Sequence, residues 1–117
     1  MKLLRLLPCL LAISLFGADP KKPDYDAQYV LGPDSQEKAG VPKGVVTEFE
    51  MTDSKTFPGY GRKWALYVPA QYDPTKEAAL MVFQDGPGYA SRNGAWRVPV
   101  VFDNLIAQKK MPVTIAL

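Results

Sequence analysis

A carboxylate, two glycines and a proline follow directly after a short apolar run in the middle of the chain. The run Leu80-Met81-Val82-Phe83 leads through Gln84 into Asp-Gly-Pro-Gly-Tyr at 85–89. An unbroken apolar run of this length, bounded by turn residues, is typical of a strand buried on both faces of a parallel sheet. Loops that leave the carboxyl ends of such strands are where α/β enzymes carry their chemistry. We therefore expect residues 84–89 to form part of an active-site rim.

The same residues also suit an ordinary tight turn. Glycine supplies positive φ there, and aspartate supplies a local hydrogen bond. On either interpretation Asp85 is expected to orient the loop rather than to act as an acid or base.

Two missing side-chain types limit the chemistry of the chain. It has no histidine and only one cysteine, Cys9. These residues alone therefore cannot form a Ser-His-Asp triad, supply a histidine base or bind a metal through histidine. A single cysteine excludes an internal disulfide and a multi-cysteine zinc site. We expect no metal and no other cofactor.

The charge is balanced outside the first residues. Lys2 and Arg5 account for the net charge of +2, and positions 19–117 carry twelve basic and twelve acidic side chains. No basic cluster is longer than two residues, so the composition gives no support to nucleic-acid binding or to binding an anionic membrane.

Residues 1–18 are predicted to be a signal peptide for secretion or export to a periplasm. A positive start precedes an apolar core at 6–16, and small residues follow at 17–18. The core is too short for a stable membrane span. The alternatives are a buried helix, which Pro8 would interrupt, and a lipoprotein signal at Cys9.

Residues 19–44 are predicted to be an extended linker or surface arm. The segment has four prolines, three glycines and nine charged side chains, with little periodicity. It is expected either to be a mobile leader or to be pinned to the body by its apolar residues, which are Tyr25, Tyr29, Val30 and Leu31.

Residues 45–117 predict an α/β domain with the element order β-β-β-α-β. Val45–Met51 and Arg62–Val68 both alternate apolar and polar residues, which favours two strands paired as an antiparallel hairpin. A third strand is expected at 78–84, and a last apolar run at 113–117.

A helix beginning near Pro99 should join the last two strands as a parallel crossover. Its apolar stripe is expected to contain Val101, Phe102, Leu105 and Ile106. Asp103 and Asn104 are expected on a solvated or loop-contacting face. A sheet of about four strands with one helix leaves a face bare. We therefore expect the chain to be the N-terminal part of a longer protein.

Five segments follow one another in a fixed order from about residue 40 onward. They are Gly-Val-Pro-Lys-Gly at 40–44, Phe-Pro-Gly at 57–59 with Arg62, Tyr-Val-Pro-Ala-Gln-Tyr-Asp-Pro at 67–74, Met-Val-Phe-Gln-Asp-Gly at 81–86, and Gly-Ala-Trp-Arg-Val-Pro-Val-Val-Phe-Asp-Asn-Leu-Ile at 94–106. This ordered set resembles the enterochelin esterase and esterase D branch of the α/β-hydrolases, and it is closest to secreted bacterial members. The similarity runs from about residue 40 to the end of the chain.

The resemblance implies a nucleophilic serine on a Gly-x-Ser-x-Gly elbow, followed by an acid and a histidine. None of the four serines has that spacing, so this triad is expected beyond Leu117. The loop after the third strand would supply one amide of the oxyanion hole, with Asp85, Gly86, Gly88 and Tyr89 as the candidate residues. The family's usual donor position holds Pro87, which has no N–H, so either Gly88 or Tyr89 donates instead or the loop differs from the family's pattern.

The sequence thus predicts the N-terminal piece, inactive alone, of a truncated secreted serine carboxylester hydrolase that acts on a small-molecule ester. No particular oligomeric state is indicated. The alternative is a non-catalytic secreted module that stacks a carbohydrate or peptide on Trp96, Tyr89 and Tyr72. Outside that alternative, Trp64, Trp96 and the tyrosines are expected to pack in the core or at its rim.

Overall fold

The fold is known from a computed structural model that describes residue 24 and residues 26–117. The predicted signal peptide at 1–18, including Cys9, lies outside the described residues. Two single-turn 3-10 helices, Asp26–Gln28 and Pro33–Ser35, precede the first strand.

The first two strands form the predicted hairpin with the predicted bounds. β1, Val45–Met51, pairs antiparallel with β2, Arg62–Val68, in a register that runs from Val45 opposite Val68 to Met51 opposite Arg62. This register places Phe49 opposite Trp64, and their rings stack with centroids 4.1 Å apart. Cross-strand aromatic pairs of this kind stabilise antiparallel sheets.

The remaining elements complete a mixed four-stranded sheet. They are β3, Ala79–Met81, the short helix α1, Pro87–Ala90, the longer helix α2, Val98–Ala107, and β4, Thr114–Ala116. The strand order is β1-β2-β4-β3, with β4 antiparallel to β2 and parallel to β3. The chain is therefore a small α/β domain, and the predicted hairpin followed by a parallel β-α-β crossover is confirmed.

Helix α2 packs on one face of this sheet. Phe102 and Ile106 are buried, as the apolar stripe predicted, and Val101 and Leu105 are half-buried. The Phe102 ring meets the buried Tyr67 ring edge to face, with centroids 5.8 Å apart. Successive strand residues face opposite sides, so the side chains opposite the helix-covered face remain exposed, and they include Val45, Phe49, Met51 and Trp64.

The prediction of a strand buried on both faces at 78–84 is wrong. β3 contains only three residues, and Leu80 and Val82 are 65% and 63% exposed. The reason is that Leu80 and Val82 alternate onto the face opposite α2, where side chains remain exposed, and that β3 is an edge strand of the described sheet. An apolar run predicts a strand, but it does not show that packed layers cover both faces of that strand.

Candidate functional site

The loop that follows β3 turns sharply at Gly86. Residues 84–86 form a turn, and Gly86 adopts φ 70° and ψ −129°, a conformation that is essentially restricted to glycine. Its carbonyl oxygen accepts a hydrogen bond from the Tyr89 N–H at 3.1 Å. The turn therefore requires glycine at this position, and it leads directly into α1.

The backbone amides of this loop differ in their availability. Pro87 has no N–H, and the N–H of Tyr89 is engaged by Gly86. The first amides of a helix have no acceptor within the helix. The Gly88 N–H makes no hydrogen bond to the residues that the structure describes. Of the two donors that the sequence left open, Gly88 is thus the available one.

The carboxylate of Asp85 is exposed. It makes no hydrogen bond or ion pair with residue 24 or residues 26–117. The expected loop-orienting contact of Asp85 is therefore not present among these residues, and the turn geometry comes from Gly86.

A cavity of about 140 Å³ lies beside this loop. Because β3 and β4 are parallel, their carboxyl ends lie at the same end of the strands, and the cavity is at that end. Its lining is largely apolar and includes Trp64, Ala65 and Tyr67 of β2, Phe83, Gly86 and Tyr89 of the loop region, Val98 of α2, and Leu117. A dry cavity of about 150 Å³ in another protein holds benzene. This one therefore suits a small acyl or aryl group.

Three aromatic rings continue from this cavity to the surface. Tyr89 stacks on Phe83 with centroids 4.8 Å apart, and Trp96 stacks on Tyr89 at 5.2 Å. The Trp96 side of the stack is accessible, since that residue is 63% exposed. Tyr72 makes no ring contact with either residue within the described part of the chain, so the three proposed stacking residues do not form one platform.

The structure also contains a polar junction that the sequence did not identify. Asp103 is 2% exposed. Its Oδ1 accepts hydrogen bonds from the Gly44 N–H at 2.8 Å and from the Tyr67 hydroxyl at 2.7 Å. Its Oδ2 accepts a hydrogen bond from Arg92 Nη2 at 2.8 Å. Burial and the hydrogen bond to Asp103 raise the pKa of Tyr67 well above its usual range. Asp103 and Asn104 thus contact loops, and the alternative of a solvated face is wrong.

Arg92 connects this junction to Glu37 in the segment before β1. The Arg92 Nε donates to Glu37 Oε1 at 2.8 Å, and Glu37 also pairs with Lys43. Hydrogen bonds from Lys43 and Arg92 lower the pKa of Glu37 to about 2. Glu37 therefore stays a carboxylate further into the acid range than an ordinary glutamate does.

Polar contacts dock residues 34–44 on the domain. Asn104 Nδ2 donates to the carbonyl oxygens of Asp34 and Gln36, each at 2.8 Å, and Gln108 donates to Asp34 Oδ1. Of the expected apolar pins, Tyr29 and Val30 are 81% and 90% exposed, Leu31 is half-buried, and Tyr25 lies outside the described residues. The residue in the sequence that could have indicated this docking is Asn104, an uncharged polar residue beside the apolar stripe of α2.

Within the described ranges, no group of three or more histidine, cysteine, aspartate or glutamate side chains is placed to hold a metal ion. The described helices include none that is both long and apolar enough to cross a membrane. Searches against models of known protein families and against curated proteins find no match to this chain.

Proposed function

We propose that this chain is the N-terminal part of a secreted serine carboxylester hydrolase that resembles enterochelin esterase and acts on a small-molecule ester. The nucleophilic serine and the catalytic histidine are supplied by residues outside these 117. The proposal rests on the Gly88 amide after β3, whose N–H makes no hydrogen bond to a described residue and which lies beside an apolar cavity.

Ester hydrolysis by a serine enzyme passes through a tetrahedral oxyanion. A fixed amide about 3 Å from that oxygen can stabilise the transition state by ~3 kcal/mol. An amide already bonded within the protein cannot make this contact without breaking its own hydrogen bond. The Gly88 N–H has no such bond to a described residue, whereas that of Tyr89 does. We therefore assign Gly88 as the oxyanion donor of this loop.

The position of the loop supports the assignment. In α/β-hydrolases the oxyanion hole takes one N–H from the loop after the third strand and one from the residue that follows the nucleophile. Here the loop leaves the carboxyl end of β3, and the exposed side chains of Leu80 in β3 and of Val82 just after it are suited to packing against further elements of a larger protein. The remaining donor would come with the serine elbow.

The proposal includes the predicted signal peptide. A signal peptide at 1–18 would direct the enzyme to a periplasm or to the outside of the cell. Its substrate would then be an ester met in that compartment.

An esterase assay on two forms of the protein tests the proposal. The 117-residue chain should not hydrolyse a short p-nitrophenyl ester, because it lacks the nucleophile elbow. The coding sequence should continue into a Gly-x-Ser-x-Gly motif within roughly a hundred residues. The extended protein should then be active and should lose that activity to a serine-directed inhibitor. Inhibitor-sensitive hydrolysis by the short chain, or an extension without the elbow, contradicts the proposal.

The donor is tested by replacing the peptide nitrogen of residue 88 with oxygen through semisynthesis, which removes one N–H. In the extended protein this change should lower kcat by about 10²-fold or more with little effect on KM. Gly88→Ala is the matched control, because it keeps the N–H and its added Cβ meets no atom within 4 Å. Equal activity of the two variants would exclude Gly88 as the donor.

The exposed aromatic stack favours a second function, the binding of a sugar ring or peptide by a non-catalytic module. Trp96 is stacked on Tyr89 and is 63% exposed, which suits stacking on a flat ligand face. Titration with oligosaccharides, followed by tryptophan fluorescence, should then saturate in the 117-residue chain. Trp96→Ala should abolish the signal and Tyr72→Ala should not. Absence of saturable binding excludes this function.

A further inference from the structure

The loop at 91–97 lies directly against the candidate donor. A Cβ built on Gly94 would be 3.2 Å from the Gly88 carbonyl oxygen, so the two backbones are in close contact. Two residues later, the Trp96 ring stacks on Tyr89. The placement of this loop therefore determines what packs against Gly88 and Tyr89.

Arg92 anchors that loop at its start. Its Nε donates to Glu37 and its Nη2 to Asp103, both at 2.8 Å. The two carboxylates come from different elements, since Glu37 precedes β1 and Asp103 is in α2. A planar guanidinium held at two edges is fixed in orientation as well as in position.

We propose that Arg92 is a positioning residue for the loop at 84–89, which carries the candidate oxyanion donor. Glu37 sets the orientation of the Arg92 guanidinium. Residues 34–44 are then a part of the site rather than a linker. The inference rests on the proposed function, because it gives Arg92 a role toward the Gly88 donor.

Arg92 joins one buried contact and one exposed contact. The Arg92 side chain is 26% exposed and that of Asp103 is 3% exposed, whereas Glu37 is 45% exposed, close to the 40% of Asp73 in the Lys76–Asp73 pair at 3.1 Å. Exposed pairs contribute little because water and salt screen them. The Lys76–Asp73 pair therefore provides an internal control.

Amide hydrogen exchange measures the coupling without any turnover. The Tyr89 N–H reports the loop, because its bond to the Gly86 carbonyl breaks when α1 opens. The amides of the β1–β2 hairpin report global unfolding. Glu37→Gln should accelerate exchange at Tyr89 by about two- to fivefold relative to the hairpin, since a half-exposed charge-assisted hydrogen bond is lost. Arg92→Lys should do the same, because an ammonium lacks the two-edged fork. Lys76→Met should change neither the exchange rate of the Tyr89 amide nor that of the hairpin amides.

A conservative substitution separates orientation from packing. Glu37→Gln preserves the volume and removes the charge, whereas Glu37→Asp preserves the charge and shortens the side chain. Orientation by the carboxylate predicts that the Asp variant protects Tyr89 better than the Gln variant does. A packing role predicts the reverse order, and that order would overturn the proposal.

Two further results would also overturn the positioning role: unchanged exchange at Tyr89 in both Glu37→Gln and Arg92→Lys, or equal acceleration in the hairpin and the loop. Either result would stand even if the esterase assay succeeded. A failed esterase assay would instead remove the proposed function and leave the measured coupling between Glu37 and the loop in place.

Discussion

At the scale of single residues, Asp103 links three parts of the fold. Its carboxylate accepts hydrogen bonds from the segment before β1, from β2 and from the loop after α1. Burying a carboxylate is costly unless it is paired and hydrogen-bonded. Gly44, Tyr67 and Arg92 meet that requirement together. Each of these contacts therefore contributes to stability, and Tyr67 also lines the cavity of the candidate site.

Gly44 must be a glycine because of close approach. A Cβ at this position would lie 2.4 Å from the Tyr67 ring and 2.6 Å from the Val68 carbonyl oxygen. Gly44→Ala should lower the unfolding free energy by ~2 kcal/mol or more, through overpacking and a strained bond to Asp103. Gly32→Ala is the matched control, since nothing lies within 4 Å of its added Cβ. Urea unfolding followed by tryptophan fluorescence measures both, and equal midpoints would contradict the prediction.

Tyr67 should make stability depend on pH at the alkaline end. Its pKa is raised in the folded state by burial and by the bond to Asp103. Between the unfolded pKa of about 10 and the higher folded value, the unfolded state releases a proton that the folded state keeps. The contribution of Tyr67 to the unfolding free energy is thus complete below pH ~10. Above that pH it decreases by up to ~1.4 kcal/mol per pH unit.

The comparison with Tyr67→Phe isolates that contribution. The variant lacks the hydroxyl donor and should be less stable at pH 7 by ~1 kcal/mol. Its unfolding free energy should then fall less steeply than the wild type's above pH ~10. Identical slopes in chemical denaturation series would show that Tyr67 does not keep its proton in the folded state.

At the scale of elements, local patterns predicted what local interactions determine. The bounds of β1 and β2 followed from alternation at Val45–Met51 and Arg62–Val68, because one half-buried face enforces period two. The loop's turn followed from Gly86. The burial of β3 and the docking of residues 34–44 did not follow, because they depend on partners far away in sequence.

Asn104 provides a test of the docked segment. Its amide is the donor to the carbonyl oxygens of Asp34 and Gln36, and the residue is 1% exposed. Asn104→Ala removes both bonds and should release the segment, raising the rate of trypsin cleavage after Lys38 and Lys43 by about tenfold. Asn93→Ala, at an exposed asparagine, is the control. Equal cleavage rates in the two variants would show that other contacts hold the segment.

At the scale of the whole molecule, the two edges of the sheet differ in their protection. β1 carries Glu48 and Glu50, and charged residues on an edge strand discourage pairing with another chain. The segment 78–83 around β3 has no charged residue and no proline. Its exposed side chains Leu80 and Val82 adjoin the uncovered face of the sheet. The sheet formed by the described residues thus has one protected edge and one open edge.

An open apolar edge should make the 117-residue chain self-associate as its concentration rises. Leu80→Lys should shift the protein toward monomer, because a charge on β3 opposes strand pairing there. Val45→Lys is the matched control: Val45 has the same 65% exposure as Leu80 but belongs to the protected edge strand. Size-exclusion chromatography with light scattering measures the mass of each. If the two lysine variants dissociate the protein equally, association occurs through general surface hydrophobicity. If only Leu80→Lys does, β3 is the edge at which the sheet accepts further strands, as the proposed larger hydrolase requires.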